Sequence, residues 1–388
     1  MVVKVSKLIS TLHESNKFNE ENKAFINGVA SSLGSPIELS DIDDYDCDVK
    51  LIFIASGGSE GLFLSNISRL KPPYYLLTNG SNNSLAASLE ILTYLNNNSL
   101  KGEILHGSNE YIASRIKELG TKKEVGAPAR LGVIGKPSDW LISSIPNYEA
   151  VKQTFNIELV DIPLEKTIEL YKGKNDKTSY KTTVFSQSEV NNASKFSSVL
   201  KDIVRDNALD GLTIRCFDLL PVIRMTGCLA LSNLNDEGII GTCEGDIMAM
   251  ISMYLVKKLF NQSSFQANPS KIDVENNRIV LAHCTIPTDM TSSWQFHTHF
   301  ESKIGVAIKG EVKEGPLTVF RLSSDLKHYF VEEGRIIENL NEGDLCRTQI
   351  VVELPNVSTL LKNPCGNHHI VFFGHHKKEI ERYLSKIL

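Results

Sequence analysis

The chain of 388 residues lacks the cysteine pattern of a disulfide framework or a zinc ribbon. Its seven cysteines are an odd number, are widely spread, and never form a C-x-x-C pair. It also lacks an excess of basic residues, because 41 Lys and Arg stand against 46 Asp and Glu, for a formal net charge of -5. Because nucleic-acid-binding proteins usually carry an excess of Lys and Arg, no nucleic-acid partner is expected.

Long hydrophobic runs are missing as well. The longest apolar window, "IMAMISMYLV" at 247–256, is half as long as a membrane-spanning helix and is followed by two lysines. The N-terminal "MVVKVSKLISTLHESNK" has few apolar residues before polar ones and no small-residue cleavage site, so it predicts a first strand and not a signal peptide. We therefore expect no membrane partner and a cytoplasmic location.

The first 125 residues alternate short apolar runs with helical patterns, which predicts a parallel sheet covered by helices. The buried strand "KLIFIAS" (50–56) runs into the glycine turn "GGSEG" (57–61), and "NSLAASLEILTYL" (83–95) reads as a helix after the strand at 74–79. Open α/β sheets bind ligands at the C-terminal ends of their strands. Glu60 and Asn83 lie at such turns, where they either bind a substrate or simply form the turns.

A charged segment, "LGTKKEVGAPA" (119–129), is the expected linker to a second domain. The strand "RLGVIG" (130–135) restarts the alternation, and further strands are predicted within 155–163, 209–220 and 237–242. From about residue 262, helical periodicity gives way to the period-two alternation of an antiparallel β domain. We expect three domains, at 1–125, 126–261 and 262–388, with a terminal helix packed on the last or the second.

The run "IIGTCEGDIM" delivers two carboxylates to the C-terminal end of a strand. The strand is predicted to end at Thr242 and a long helix to start near Gly245, so Glu244 and Asp246 arrive together where α/β enzymes carry out their chemistry. The alternative is that both are ordinary carboxylates of a helix start, stabilised by the helix dipole.

Three histidines end or begin predicted strands. His283 ends the strand "IVLAH", and "GNHHIVFFG" places His368 and His369 at a strand start, where alternation points them to opposite faces. A following pair, His375 and His376, is expected on the solvated surface. One glutamate with histidines from two strands forms a ligand set that suits manganese or another divalent ion better than structural zinc.

Several motifs together resemble the L-fucose/L-arabinose isomerase superfamily, in particular its shorter, fucose-isomerase-like members. They are, in chain order, "ASGGSEG", "NNSLAASLEIL", "GKPSDWLISS", "TIRCF", "GCLALSNLNDEGIIGTCEGD", "LAHCTIP", "HTHFES" and "GNHH". The resemblance implies an α/β fold of two Rossmann-like, doubly wound domains followed by an antiparallel β-barrel-like C-terminal domain. It further implies a homo-oligomer, a trimer or hexamer, with active sites between domains and often between subunits.

The resemblance also implies an activity, the interconversion of an aldose and a ketose through an enediol with a divalent metal, usually manganese. Matched by motif, Glu244 of "CEGD" corresponds to a metal ligand that also transfers protons, and His283 of "LAHCT" to a histidine ligand. In the "HH" pair the second histidine matches the ligand, so His369 is expected at the metal, with His368 beside it or on the substrate.

One position departs from that family. Asn268 of "SSFQANPSKID" falls where a second carboxylate is expected, and an amide can bind a metal through its oxygen but cannot act as a base. Either Asp273 or Asp246 substitutes for it, or the site has one carboxylate and altered chemistry.

Other residues are weaker candidates for substrate contacts. Trp140 either stacks on a sugar or packs at a helix start, and Arg215 either binds an oxyanion or forms a structural ion pair. His299, with His297 and Glu301 in "FHTHFES", is expected to line the site from the β domain, together with Asp246 from the second domain.

The sequence thus predicts a metal-dependent isomerase of a pentose, a deoxyhexose or a modified sugar. The alternatives are a sugar-binding or regulatory protein without turnover, and related enediol chemistry of an epimerase or aldolase.

Overall fold

The computed structural model describes residues 1–10, 16–98, 100–120, 126–175, 180 and 185–388. The described chain forms two compact units, Met1–Val125 and Gly126–Leu388. Residues 121–125 of the expected linker lie outside the described residues. Within the described ranges, no helix combines the length and the apolar character needed to cross a membrane.

The first unit is a parallel five-stranded sheet with strand order β2-β1-β3-β4-β5. All six residues of the central strand β3 are buried, as expected of a strand covered by helices on both faces. The strands are β1 Val3–Leu8, β2 Ile37–Leu39, β3 Val49–Ile54, β4 Tyr74–Leu77 and β5 Gly102–Leu105; the helices are α1 Asn16–Leu33, α2 Glu60–Asn66, α3 Ser84–Asn97 and α4 Asn109–Gly120.

The second unit begins with a parallel sheet of strand order β7-β6-β8-β9. Its strands are β6 Ala129–Ile134, β7 Ile157–Ile162, β8 Gly211–Ile214 and β9 Ile240–Thr242. The helices around it are α5 Tyr148–Phe155, α6 Leu164–Gly173, α7 Gln187–Asp206, α8 Leu219–Ile223, α9 Cys228–Asp236 and α10 Ile247–Phe260. Helix α10 is apolar nearly all round and is buried, because it lies between the sheet and the strands that follow.

The same unit continues into a closed barrel of antiparallel strands, ordered β10-β11-β16-β15-β14-β17. The barrel strands are β10 Phe265–Asp273, β11 Arg278–His283, β14 Gly315–Leu322, β15 Tyr329–Asn339, β16 Thr348–Glu353 and β17 His369–Phe373. Strands β12 Thr291–Thr298 and β13 Val306–Val312 form a separate antiparallel ribbon. The predicted fold class, two parallel-sheet α/β layers followed by an antiparallel barrel, is confirmed.

Sheet and barrel of the second unit share one hydrophobic core. Ile134 and Leu212 of the sheet belong to the same buried cluster as Leu281 and Val371 of the barrel. The last helix, α11 Lys377–Leu384, buries Ile380 and Leu384 against α10 and β14, so it packs on barrel and sheet layer alike. This shared core fixes the end of β9 relative to barrel strands β11 and β17.

Candidate metal centre

Glu244 lies in a tight connection between β9, which ends at Thr242, and α10, which begins at Ile247. Both Glu244 and Gly245 have left-handed backbone conformations, with φ of +65° and +69°. A Cβ on Gly245 would lie 2.6 Å from the carbonyl oxygen of Lys136, so only glycine fits there. A left-handed glutamate costs about 1 kcal/mol or more, and such strain is typical of functional sites.

Two histidine rings of the barrel converge on this glutamate. Nε2 of His283, the last residue of β11, lies 3.8 Å from Oε1 of Glu244, and Nε2 of His368, just before β17, lies 3.6 Å from the same oxygen. Among the described residues, neither Nε2 atom has a hydrogen-bond partner, although both rings are buried. Buried polar atoms normally have partners, and the convergence of these two on one carboxylate oxygen indicates a ligand that all three could share.

The three ligand atoms lie within 4.8 Å of one another, close enough to coordinate one ion. Imidazole nitrogens with a carboxylate oxygen suit a divalent transition metal. The chemistry of this donor set therefore fits the metal that the resemblance implies. Glu244 and His283 were both predicted as ligands, and the structure brings them together.

Asp246 orients His368. Its Oδ2 lies 2.8 Å from Nδ1 of His368 and accepts a second hydrogen bond from Nη1 of Arg321 at 3.0 Å, while its Oδ1 caps α10 at the amide of Ala249. A carboxylate on the far nitrogen of a histidine ligand fixes the ring and its tautomer. Asp246 is fully buried, so it cannot contact a substrate as the sequence suggested; it holds His368 instead.

The charges of the site stabilise one another. Burial opposes ionisation of Glu244, but the neighbouring His368 and His283 rings outweigh it and hold the pKa of this carboxyl well below its usual range. Burial likewise lowers the pKa of His368, but Glu244 and Asp246 raise it to about 9. A glutamate that stays ionised is suited to holding a cation.

The structure places His369 away from this centre. His369 is the first residue of β17, where it pairs with Ala267, donates from Nδ1 to the carbonyl of Asn367 and packs its ring edge-on against Phe330. Neighbouring strand residues point to opposite faces, so the presence of His368 at Glu244 excludes His369. Burial lowers the pKa of His369 to about 4, as expected for a neutral core histidine. The expected ligand His369 is thus corrected to His368.

Asn268 lies on β10, opposite Ala282, the neighbour of His283. Because side chains alternate along a strand, Asn268 points to the same side of β10 as Gln266, two residues before it. Oε1 of Gln266 accepts a hydrogen bond from the backbone amide of Cys243 at 2.8 Å. Asn268 therefore faces the connection that carries Glu244. Neither suggested substitute supplies a second carboxylate, because Asp246 is committed to His368 and Asp273 lies at the exposed far end of β10.

Trp140 reaches Glu244 from the loop after β6. Its indole N–H donates to Oε2 of Glu244 at 2.7 Å, and 52% of the residue is exposed. The ring packs edge-on against Phe217, which in turn contacts His299. His299 is buried and lies 3.0 Å from the carboxylate of Glu301. An aromatic face, a histidine and a second carboxylate thus extend from the metal centre towards solvent.

The structure shows the local contacts of the remaining candidates. Arg215 is not available to an oxyanion, because its guanidinium is paired with Asp139 at 2.7 Å and Asp218 at 2.8 Å. Glu60 and Asn83 belong to the first unit, where Glu60 starts α2 and Asn83 precedes α3 in a left-handed conformation. His376 is not the surface residue expected from sequence, since its ring packs on Phe260 at 4.2 Å.

Sequence reasoning missed Arg321, which is fully buried and pairs with Asp246 across 75 positions of the chain. The available signal was an arginine inside the apolar strand "LTVFRL". A charge buried in such a strand must be paired, but the sequence does not identify its partner.

No protein-family model matches this chain. Three similar proteins are all named sulfoquinovose isomerase. The one from Priestia aryabhattai is 24% identical over 211 residues, 50% of this chain and 47% of that protein. The one from Clostridium sp. (strain MSTE9) is 27% identical over 193 residues, 46% of this chain and 43% of that protein. The one from Alkalicoccus urumqiensis is 26% identical over 142 residues, 35% and 32% of the two chains.

The match thus spans about half the length, or less, of these relatives. Their shared name is that of sugar isomerases, and the resemblance to sugar isomerases predicted from the motifs is confirmed at this level.

Proposed function

We propose that this chain is a divalent-metal-dependent aldose–ketose isomerase of a sugar, acting through an enediol. The observation that carries the proposal is the convergence of Glu244 Oε1, His283 Nε2 and His368 Nε2, with both imidazole nitrogens buried and without partners among the described residues. The relatives named sulfoquinovose isomerase support the same reaction class, and sulfoquinovose is our first candidate substrate.

Glu244, His283 and His368 would hold the metal, for which manganese is our candidate. A bound divalent ion polarises the carbonyl and hydroxyl oxygens of a sugar and lowers the pKa of the carbon-bound proton between them. Asp246 keeps the Nδ1 side of His368 occupied, so that Nε2 is the nitrogen directed at the centre.

The carboxylate of Glu244 has two differently placed oxygens. Oε1 faces the two histidines, whereas Oε2 accepts from Trp140, whose exposed ring borders solvent. We assign Oε2 to proton transfer at the sugar and the open face of Trp140 to stacking on it. Asn268, on the strand beside the same connection, can orient a sugar hydroxyl but cannot take a proton.

The second proton-transfer group that Asn268 cannot supply is, in this proposal, Glu301. It is half exposed and its carboxylate is paired with His299. Burial raises the pKa of Glu301, but the hydrogen bond and charge of His299 outweigh it and lower the pKa, with a smaller contribution from His283 of the metal centre. This contribution from His283 supports a position of Glu301 near the metal centre. Assembly as a trimer or hexamer and a cytoplasmic location also belong to the proposal.

A second candidate is a sugar-binding protein that holds the metal but does not turn over its ligand. Asn268 is the observation that favours it, because a centre with one carboxylate at the metal has lost a potential base. Carbon-bond cleavage or inversion, in place of isomerisation, would identify aldolase or epimerase chemistry on a related enediol.

The test is exchange of solvent deuterium into C2 of a panel of sugars, comprising pentoses, deoxyhexoses and sulfoquinovose, with the manganese-loaded protein. Deuterium incorporation with ketose formation is expected for at least one sugar. If sugars of the panel bind saturably but none exchanges deuterium, the chain is a sugar-binding protein and not an isomerase.

A variant with its control completes the test. Glu244→Gln removes the charge that holds the metal, so both bound manganese and exchange are expected to disappear. Glu311→Gln, at an exposed position of β13, changes the same functional group and should leave both unchanged. If the parent protein holds no stoichiometric divalent ion at neutral pH, the metal assignment is wrong.

A further inference from the structure

A group of cationic side chains lies beside the candidate metal centre and has no role in it. It consists of Arg347 and Lys303, which both lie against the Phe300 ring, with His297 near them. We propose that this group, called here the cationic pocket, binds a negatively charged substituent of the sugar, of the sulfonate or phosphate type. The inference rests on the proposed function, because the substituent belongs to the substrate of that site.

Arg347 is held in place by neutral partners only. Its Nε donates to the carbonyl of Thr298 at 2.7 Å and its Nη2 to the hydroxyl of the same residue at 3.0 Å. Among the described residues it forms no ion pair, and Nη1 makes no hydrogen bond. A guanidinium fixed by backbone and hydroxyl, with its charge uncompensated, is preorganised for an oxyanion.

Lys303 adopts a conformation that its side chain disfavours. Its φ is +57°, and its backbone N–H closes a short loop by donating to the carbonyl of His299 at 3.0 Å. Glycine would adopt this conformation without strain. The ammonium lies 4.3 Å from the centroid of Phe300, and no carboxylate of the described chain pairs with it. Lys303 is exposed, where an unpaired charge is ordinary, so it is the strained backbone that points to a binding role.

His297 shows that the local field is positive. Burial lowers its pKa first, and the charges of Arg347, Lys309 and Lys303 lower it further. Its Nδ1 accepts from the amide of Thr298, which leaves the proton of the neutral ring on Nε2, where it can be donated. Lys309 is satisfied by the amide oxygen of Asn341.

Glu301, the acidic residue of the same loop, has a partner of its own. It lies 3.0 Å from Nε2 of His299, while neither Arg347 nor Lys303 has a carboxylate partner among the described residues. Two cationic side chains without a counter-charge are therefore left to bind an anion. An anion with several equivalent oxygens satisfies a fixed guanidinium, an ammonium and an imidazole N–H together.

Two series of contacts connect the cationic pocket to the metal centre. Arg347 directly precedes Thr348, which is paired with His283 across β11 and β16. On the other side, the loop of Lys303 begins at His299, which contacts Phe217, and Phe217 packs against the Trp140 ring that donates to Glu244. A sugar whose carbonyl end lies at Glu244 can present its other end to Arg347.

The similar proteins are named after sulfoquinovose. In this sugar, a sulfonate replaces the hydroxyl of glucose on the carbon farthest from the carbonyl. The cationic pocket supplies the recognition that such a charge requires and that a neutral sugar does not use. It thereby selects charged over neutral sugars at this site.

The experiment measures equilibrium binding of sulfoquinovose, glucose 6-phosphate and glucose to the manganese-loaded full chain by calorimetry. At least one charged sugar is expected to bind tenfold or more tightly than glucose, and the tighter of the two identifies the anion. Arg347→Gln and Lys303→Gln should each weaken binding of that sugar about tenfold, with glucose binding and manganese content unchanged. Lys362→Gln, at an exposed position, is the matched control.

Lys303→Gly separates binding from folding. Because glycine relieves the left-handed strain, this variant should be at least as stable as the parent and still bind the charged sugar about tenfold more weakly. Equal affinities for charged and neutral sugars, or full affinity in Lys303→Gly and Arg347→Gln, would overturn the proposal. Tighter binding of charged sugars without deuterium exchange would support the cationic pocket and reject the isomerase. Deuterium exchange with equal affinity for charged and neutral sugars would support the isomerase and reject the cationic pocket.

Discussion

The indole N–H of Trp140 donates a 2.7 Å hydrogen bond to Oε2 of Glu244, across 104 positions of the chain. The carboxylate is thereby fixed with its other oxygen towards His283 and His368. A rigid aromatic donor from the loop after β6 thus orients a side chain from the loop after β9. The pair connects the metal centre to the open face where a sugar would bind.

Removing this donor while keeping an aromatic ring tests that orientation. In Trp140→Phe the carboxylate of Glu244 is free to rotate, so manganese affinity should fall about tenfold, as when an outer hydrogen-bond partner of a ligand is lost. Competition with a chelating dye measures the change. Trp294→Phe, on β12, is the matched control and should bind manganese as the parent does. Unchanged affinity in Trp140→Phe would mean that the carboxylate is positioned without the indole.

The two adjacent histidines should respond differently to the same substitution. His368→Gln removes a nitrogen directed at Glu244 and should lower manganese affinity at least a hundredfold. His369→Gln should retain the metal and lose about 1 to 3 kcal/mol of unfolding free energy, because it places an amide in a buried position. Metal content after dialysis and urea unfolding distinguish the two effects. His376→Ala, a change to an aromatic packing contact, should leave metal content unaltered.

The opposite result, metal lost from His369→Gln and kept in His368→Gln, would restore the ligand that the motif match suggested.

The fold was predictable because its signals are local. Apolar strands followed by helical periods predict parallel layers, and the alternating residues after 262 predict the antiparallel part. Glu244 was found for a similar reason, since the end of a strand and the start of a helix can both be read around it. These features depend on neighbours in sequence and not on distant contacts.

The orientation of the histidine pair was not predictable. Alternation shows that only one of His368 and His369 can face the site. Which of the two faces it is decided by the pairing of β17 with β10 and β14 when the barrel closes. The partner of Arg321 was not predictable for the same reason, because Arg321 lies in the barrel and Asp246 lies at the start of α10. Long-range register decides both cases, and a single sequence does not encode it in any readable pattern.

The contact between Asp246 and His368 predicts two separable effects of Asp246→Asn. Asparagine can still cap α10, but it no longer balances Arg321, so the protein should lose about 3 to 5 kcal/mol of stability. Manganese affinity should fall tenfold to a hundredfold, because His368 is no longer held by a carboxylate. Combining Asp246→Asn with Arg321→Met should recover stability and leave the metal affinity low. Recovery of both would show that Asp246 acts on folding alone.

His369 makes the stability of the metal-free protein pH-dependent. Its folded pKa of about 4 lies below the ordinary histidine value of 6.5, so the unfolded chain binds the proton more readily. The stability that a neutral His369 contributes is complete above pH 6.5 and is lost progressively as the pH falls towards 4. Between pH 7 and pH 5 the loss is about 2 kcal/mol.

His369→Phe keeps a ring beside Phe330 and has no proton to bind. Urea unfolding at pH 7 and pH 5 should therefore show a drop about 2 kcal/mol smaller in His369→Phe than in the parent. A drop of the same size in both proteins would mean that His369 is protonated in the folded state without cost.

The last prediction concerns Asn268, which faces the connection of Glu244 from β10. Asn268→Asp adds a carboxylate, at a partly buried position, to a site that already holds one. Without metal, the two like charges should lower the unfolding free energy by about 1 kcal/mol or more. With manganese, the second anionic ligand should tighten binding about tenfold, so the gain in melting temperature on adding the metal should exceed that of the parent. Asn363→Asp, at an exposed position, is the control and should leave that gain unchanged. If manganese raises the melting temperature of Asn268→Asp and of the parent by the same amount, the side chain of residue 268 does not reach the metal. Residue 268 would then affect only the binding of the sugar.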